Sequence, residues 1–257
     1  MNSSVPAQDL LFDFLLQLGD DRLILGHRLS QWCGHAPVLE EDIALTNIAL
    51  DEIGQAAAFL RLAGVTEGND RDEDKLAYFR EATQFRNVQL VEQPNGDFAA
   101  TIARQFFFDI YDRLLLEELQ RSSHEQLAAV AAKALKEATY HLRHSSEWMR
   151  RLGGGTVESR QRLQSAVNEL WRFTGELFCP SAIEGSLAAR GIIPTLDTIE
   201  RRWSEQVTDV FQSATLSMPE GDSIMVSGSR DGKHSEHLGH LLAEMQILAR
   251  SFPQAKW

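Results

Sequence analysis

Apolar residues recur along this chain at three- and four-residue steps, which commits it to helices that each bury one face. In the first segment Leu11, Phe14, Leu15, Leu18, Leu25, Leu29 and Trp32 form such a stripe, and Gly34 and Pro37 end it. A second helix is expected from near Val38 to Gly64, with Ile43, Ile48 and Phe59 among its buried residues and Gly64 as its stop. Residues 65–74 are polar and read as a loop. Leu76 to Phe85 reads as a short helix, and NVQLVEQPNG as an extended connection closed by a Pro-Asn-Gly turn. Asp97 is placed to cap a long helix through Gln120. Ser122 or Ser123 caps the next, which runs to Leu152 and stops at Gly153-Gly154-Gly155. Further helices are expected at 159–178, 195–216 and 234–250, and the segment 219–233 reads as a mobile surface loop. No strand survives this reading.

The order of these elements narrows the fold further. Two helices joined by a tight turn, a long crossover, and two more helices joined by a tight turn is the wiring of a ferritin-like bundle. The expectation is an all-α, single-domain protein with its core bundle at about 8–152 and additional helices at about 156–257.

Charge and cysteine content exclude several classes. The 25 basic residues against 37 acidic ones leave a formal charge of −12, which repels nucleic acid and anionic membranes alike. Cys33 and Cys179 are the two cysteines, far apart and outside any Cys-x-x-Cys pattern, so neither a disulfide framework nor a zinc knuckle is expected. Met1 to Asp9 lacks a basic leader, and no stretch reads as uninterrupted apolar sequence of membrane-spanning length, so a cytoplasmic protein is expected.

A carboxylate-bridged di-iron bundle takes one Glu from each of two helices and a Glu-x-x-His pair from each of the other two. The first helix here holds no Glu, and its central core-facing residue is Leu25. The second offers Glu52-Ile53-Gly54-Gln55, an amide where imidazole belongs. The third has Asp109 and Asp112, and the fourth has Ala138-Thr139-Tyr140-His141, with the His present and its Glu an alanine. At most two carboxylates and one imidazole stand against four and two. The leftover polar groups Glu52, Gln55, Asp109 and His141 are expected to hydrogen-bond one another or stay wet.

Two other polar groupings stand out. Glu137, His141 and His144 share one helix face and read as a salt-bridged polar surface, with a mononuclear metal site as the alternative. His237, His240 and Glu244 read as a polar helix start at a contact between subunits, again with a metal as the alternative. The run Phe106-Phe107-Phe108 reads as core. No nucleophile elbow, P-loop or dinucleotide fingerprint is present, and the glycine run follows a helix instead of opening one.

Five stretches, RLSQWCGHAPVLEEDIALTNIALDEIGQA, FRNVQLVEQPNGDFAATIARQFFFD, KALKEATYHLRHS, LWRFTGELF and HSEHLGHLLAEMQ, resemble in order the C subunits of bacterial phenylacetyl-CoA epoxidases, from about Leu18 to the C-terminus. The resemblance implies a non-catalytic ferritin-like subunit paired with a homologous A subunit that carries the di-iron centre. It further implies a small bridging B subunit and a reductase component with flavin and an iron–sulfur centre. That reductase delivers electrons from NADPH for the O2-dependent epoxidation of phenylacetyl-CoA in aerobic phenylacetate degradation. Under it Leu25, Glu52, Gln55, Asp109, Ala138 and His141 are vestiges of a di-iron site. Two other classes stay open on the residues alone: an independent ferritin-like metal-dependent oxidoreductase with an atypical ligand set, and a scaffold protein unrelated to oxygenation.

Overall fold

The computed structural model describes residues 7–180, 182–219 and 224–255, and among them every regular element is helical. Four long α-helices dominate: α1 (Ala7–Ser30), α2 (Leu39–Glu67), α5 (Phe98–Leu119) and α6 (Glu125–Gly153). Between the second and third of these lie two short ones, α3 (Glu73–Tyr78) and α4 (Gln89–Glu92). Then follow α7 (Val157–Leu170), α8 (Ala182–Ala188), α9 (Leu196–Ser213) and α10 (Glu236–Ser251). The chain gathers into two compact units. One takes the chain up to Pro94, with Ser181–Leu187 and everything from Gly228; the other takes Asn95–Pro180 and Ala188–Ser227.

In the first unit α1 and α2 pack along their length. Two glycines seven residues apart make the close approach. A Cβ at Gly19 would fall 2.7 Å from Leu60 Cγ, and one at Gly26 would fall 3.1 Å from the Ala49 carbonyl and 3.2 Å from Glu52 Cβ. As the α1 position advances its α2 partner retreats, so the helices run antiparallel. Leu15, Leu18 and Leu25 of the stripe are 2% exposed or less, but Trp32 lies past the end of α1 and is only half-buried. Helix α2 overruns Gly64, where a Cβ would meet the Arg71 carbonyl, and ends at Gly68, whose φ of 74° supplies the left-handed cap.

Ile43, expected in the core, is 53% exposed and shares an outward α2 stripe with Leu39 and Leu50. By length and composition α2 is also long and apolar enough to cross a membrane, although Asp51, Glu52 and Arg61 interrupt its apolar sequence. The buried face of α2 against α1 accounts for that apolarity as core packing.

The crossover is more helical than its sequence suggests. The stretch expected to be extended contains α4, and the short helix expected at 76–85 begins earlier, as α3, capped by Asp72. Here tertiary anchoring overrides local propensity, as the site geometry below shows.

In the second unit α5 packs against α6, α7 and α9. Asp97 Oδ1 accepts from the Ala100 amide at 2.9 Å, the cap its sequence promised. The cap of α6 is not a serine: His124 Nδ1 accepts from the Leu127 amide, because Ser122 Oγ donates instead to the Ile192 carbonyl. Phe106, Phe107 and Phe108 are fully buried. Phe107 lies 5.8 Å, centroid to centroid, from both Trp171 and Trp203, and 6.2 Å from Phe211. Trp203 Nε1 donates to the Phe107 carbonyl at 2.9 Å, so the large ring is buried without an orphaned N–H. Of the loop expected at 219–233, residues 220–223 lie outside the described chain; Ser229–Asp231 form a short 3-10 turn.

Candidate functional site

The middle of α1 carries three consecutive charged residues, Asp20, Asp21 and Arg22, each 1% exposed or less. Successive helical residues diverge by about 100°, so the three reach different neighbours. Asp20 accepts from both Nη atoms of Arg80, Nη1 at 2.9 Å, and from the Arg86 amide at 2.8 Å. Asp21 accepts from the Val88 amide at 2.8 Å and from Arg230 Nη1 and Nη2 at 3.0 and 2.8 Å. These bidentate pairs fix the crossover and the Gly228–Lys233 turn onto α1.

Arg22 points into the α1–α2 seam. Its Nε donates to Gln55 Oε1 at 3.0 Å, its Nη1 donates to the Leu18 carbonyl at 2.8 Å, and its guanidinium sits 4.6 Å from the Phe59 ring centroid. Leu25, one turn along, is fully buried. Glu52 precedes Gln55 by three residues on α2 and is 1% exposed. In this half, then, a di-iron ligand set finds one carboxylate, a hydrocarbon where the first Glu belongs, and an amide already engaged by a guanidinium.

The second unit departs from that ligand set in another way. Asp109 Oδ1 accepts from Gln105 Nε2 at 2.5 Å, and Oδ2 accepts from Ser145 Oγ at 2.6 Å. Ser145 follows His141 by one turn of α6, so Asp109 accepts from one donor on its own helix and one on the facing helix. His141 and Ala138 are each 1% exposed, and Asp112 is 2% exposed. Glu137 and His144 are half-buried on the flank of this face. Sequence reasoning missed Gln105 and Ser145; their signal was a four-residue step from Asp109 and from His141.

The C-terminal histidines separate. His240 and Glu244 are exposed, and His237 contributes its carbonyl, which accepts from Arg28 Nη2 at 3.1 Å. Those side chains do not form a compact polar centre. The histidine that is drawn in is His234. Its Nδ1 lies 2.5 Å from Glu92 Oε1 and its Nε2 3.0 Å from the Phe85 carbonyl. Glu92 also accepts from Asn87 Nδ2, the Ser235 amide and Ser235 Oγ. Arg28 donates twice to the Glu92 carbonyl; burial pulls its pKa below the ordinary arginine value, against the pull of Glu92 and Glu244. This cluster ties α10 and α4 to α1.

Across the described residues the positions singled out in the sequence supply two carboxylates and one imidazole, with Arg22 at the Gln55 amide. Four carboxylates and two imidazoles are needed, so these residues do not fit a carboxylate-bridged di-iron centre.

Comparison with known proteins bears on this geometry. The family described as phenylacetic acid catabolic protein matches residues 2–257. The C subunit of the 1,2-phenylacetyl-CoA epoxidase of Escherichia coli (strain K12) is 49% identical over 244 residues, covering 95% of this chain and 98% of that protein.

Proposed function

We propose that this chain, which belongs to the phenylacetic acid catabolic protein family of ferritin-like helical proteins, is a structural, non-catalytic subunit of a phenylacetyl-CoA epoxidase. It pairs with a homologous catalytic A subunit that carries the di-iron centre. A small B subunit and a reductase that passes electrons from NADPH complete the system, and the chain itself holds no metal.

The observation that carries this reading is the chemistry at Leu25, Gln55 and Ala138 in a chain so similar to the C subunit of an epoxidase. Two ligand positions are hydrocarbon, and the third is an amide bonded to Arg22. No oxidation can be assigned to such a donor set. A subunit of this kind is retained for what it does to its partner: covering an apolar face and holding active-site helices still. The outward α2 stripe supports the reading. Leu39, Ile43 and Leu50 are 70%, 53% and 62% exposed and share a face by their four- and seven-residue spacing, an apolar surface suited to a helical partner.

The test is reconstitution. This chain and the A-type subunit should co-elute on a sizing column. NADPH- and O2-dependent epoxidation of phenylacetyl-CoA should fall to a small fraction when this chain is omitted. Equal turnover without it, or stoichiometric iron in the isolated chain, overturns the proposal. Ile43→Glu, which places a charge on the stripe, should weaken co-elution without unfolding the chain.

A further inference from the structure

We infer that Gly54 marks the point where a partner helix crosses α2, and that this helix is the counterpart of α2 in the homologous subunit, lying antiparallel to it. This deepens the reading above, which supplies the homologous partner, and rests on it.

Gly54 lies near the middle of the 29-residue α2 and is exposed. Glycine weakens a helix interior, because it has more backbone freedom to lose on folding than any other residue. Elsewhere in α1 and α2 this chain itself requires its glycines. A Cβ at Gly19 would press on Leu60, one at Gly26 on Ile53, and one at Gly64 on the Arg71 carbonyl. A Cβ at Gly54 would meet no atom within 4 Å. The other glycines with open space around them are left-handed, at Gly34, Gly68 and Gly191, or stand in the seven-residue α8 and the first turn of α10, where little helix depends on them. What needs bare backbone at Gly54 therefore comes from outside this chain.

The residues around Gly54 describe the visitor. At 3.6 residues per turn, Ile43, Asn47, Leu50, Ala58, Arg61 and Val65 all fall within about 40° of the line through Gly54. They stand four, seven and eleven residues to either side of it. At eleven, both are apolar and exposed: Ile43, and Val65 at 67%. At seven are two exposed polar residues, Asn47 and Arg61, the latter with its side chain 64% exposed while it pairs with Glu73. At four, the large Leu50 is matched by the small Ala58. An antiparallel helix related by a twofold-like axis through Gly54 sets each position against its mirror position. Leucine then lies over alanine, an amide meets a guanidinium, isoleucine meets valine, and glycine meets glycine. The glycine contact lets the two axes approach closely enough for short side chains to touch. Such a stripe fits its own copy or a homologue that has kept the pattern. Two copies of this chain would bring formal charges of −12 each to one contact, whereas the homologous subunit is the partner already required, so the homologue is the occupant.

Gly54→Leu tests this with two readouts. In the isolated chain the urea midpoint should hold or rise, because the new side chain meets open space and leucine favours a helix. With the A-type subunit the Kd should rise by about tenfold or more, the scale of an overpacked contact. Unchanged affinity overturns the inference. So does a midpoint well below that of the wild type, which would give Gly54 a role inside this chain. The occupant is tested by photo-crosslinking the assembled complex from a benzophenone side chain placed at position 50. Links should fall in the helix of the A-type subunit that corresponds to α2, and links confined to other helices overturn the assignment. A Gly54→Leu chain that loses self-association yet binds the A-type subunit as the wild type does would give this face to a second copy, and overturns it too. Failure of the wild-type chain to bind the A-type subunit at all sinks the proposed function; equal binding by wild type and Gly54→Leu sinks this inference alone.

Discussion

The two units solve the problem of a sealed interior with different chemistry. The α1–α2 unit buries full charges and pairs them across long sequence distances: Asp20 with Arg80, Asp21 with Arg230, Arg22 against Gln55. The α5–α6 unit is built on closely packed rings, with Phe107 wedged among Trp171, Trp203 and Phe211. Among the polar residues it buries, Asp109 accepts from a serine and an amide. Apolar burial is non-directional and tolerates local adjustment, whereas a buried bidentate pair fixes one register of the segments that carry it. That is why the irregular parts of the chain, the crossover and the Gly228–Lys233 turn, are fastened in the first unit by arginines.

The contrast can be broken at several points. Phe107→Ala in the aromatic unit should cost the most, about 4 kcal/mol, by removing ring contacts on several sides, and the loss should be insensitive to salt and to pH. Urea titration at two ionic strengths measures it; a loss that varies strongly with salt would contradict an apolar origin. In the charged unit, Asp20→Ala should cost about 3 kcal/mol, because Arg80, 3% exposed, keeps its charge without its carboxylate. Replacing both partners, Asp20→Leu with Arg80→Met, should recover most of that loss. A double variant as unstable as the single one would show that the pair contributes net stability, not only register.

Smaller effects sharpen the comparison. Ser145→Ala removes a donor to Asp109 and should cost about 2 kcal/mol, the scale for losing a hydrogen bond to a buried carboxyl group. No loss there would place the support of Asp109 elsewhere.

The smallest effect concerns His27 of α1. It is half-buried, with Nε2 shut from water and lacking a partner among the described residues, and burial holds its pKa below the ordinary 6.5. The unfolded chain therefore binds a proton at a higher pH than the folded one does. The stability this group contributes is present above about pH 6.5 and is lost as pH falls toward its folded value. In that window His27→Gln should flatten the pH dependence of unfolding by up to about 1.4 kcal/mol per pH unit, the limit for one proton. Parallel profiles for the two proteins would rule His27 out as a contributor.

Much of this molecule is legible in its sequence. The three- and four-residue recurrence of apolar residues announces the four long helices, because a helix must turn one stripe inward whatever it packs against. Asp97 announces the start of α5, since a cap is a local hydrogen bond between residues three apart. The departure of Leu25, Gln55 and Ala138 from a Glu and Glu-x-x-His pattern is likewise a matter of spacing alone, because spacing says which positions share a helix face.

The tertiary structure decided the rest. Ile43 obeys the helical period yet faces outward, since periodicity marks an apolar stripe without saying what covers it. The stretch from Asn87 is helical at α4 because Asp21 holds the Val88 amide and Arg28 holds the Glu92 carbonyl, partners more than sixty residues away. His234, not His237 or His240, is the histidine drawn inward, since Glu92 and Phe85 come to meet it. And Arg22, a charged residue in an apolar stripe, gains its meaning only when α2 brings Gln55 and Phe59 against it. A local pattern fixes what depends on the nearest turn of helix; the partner of a buried charge depends on the whole path of the chain.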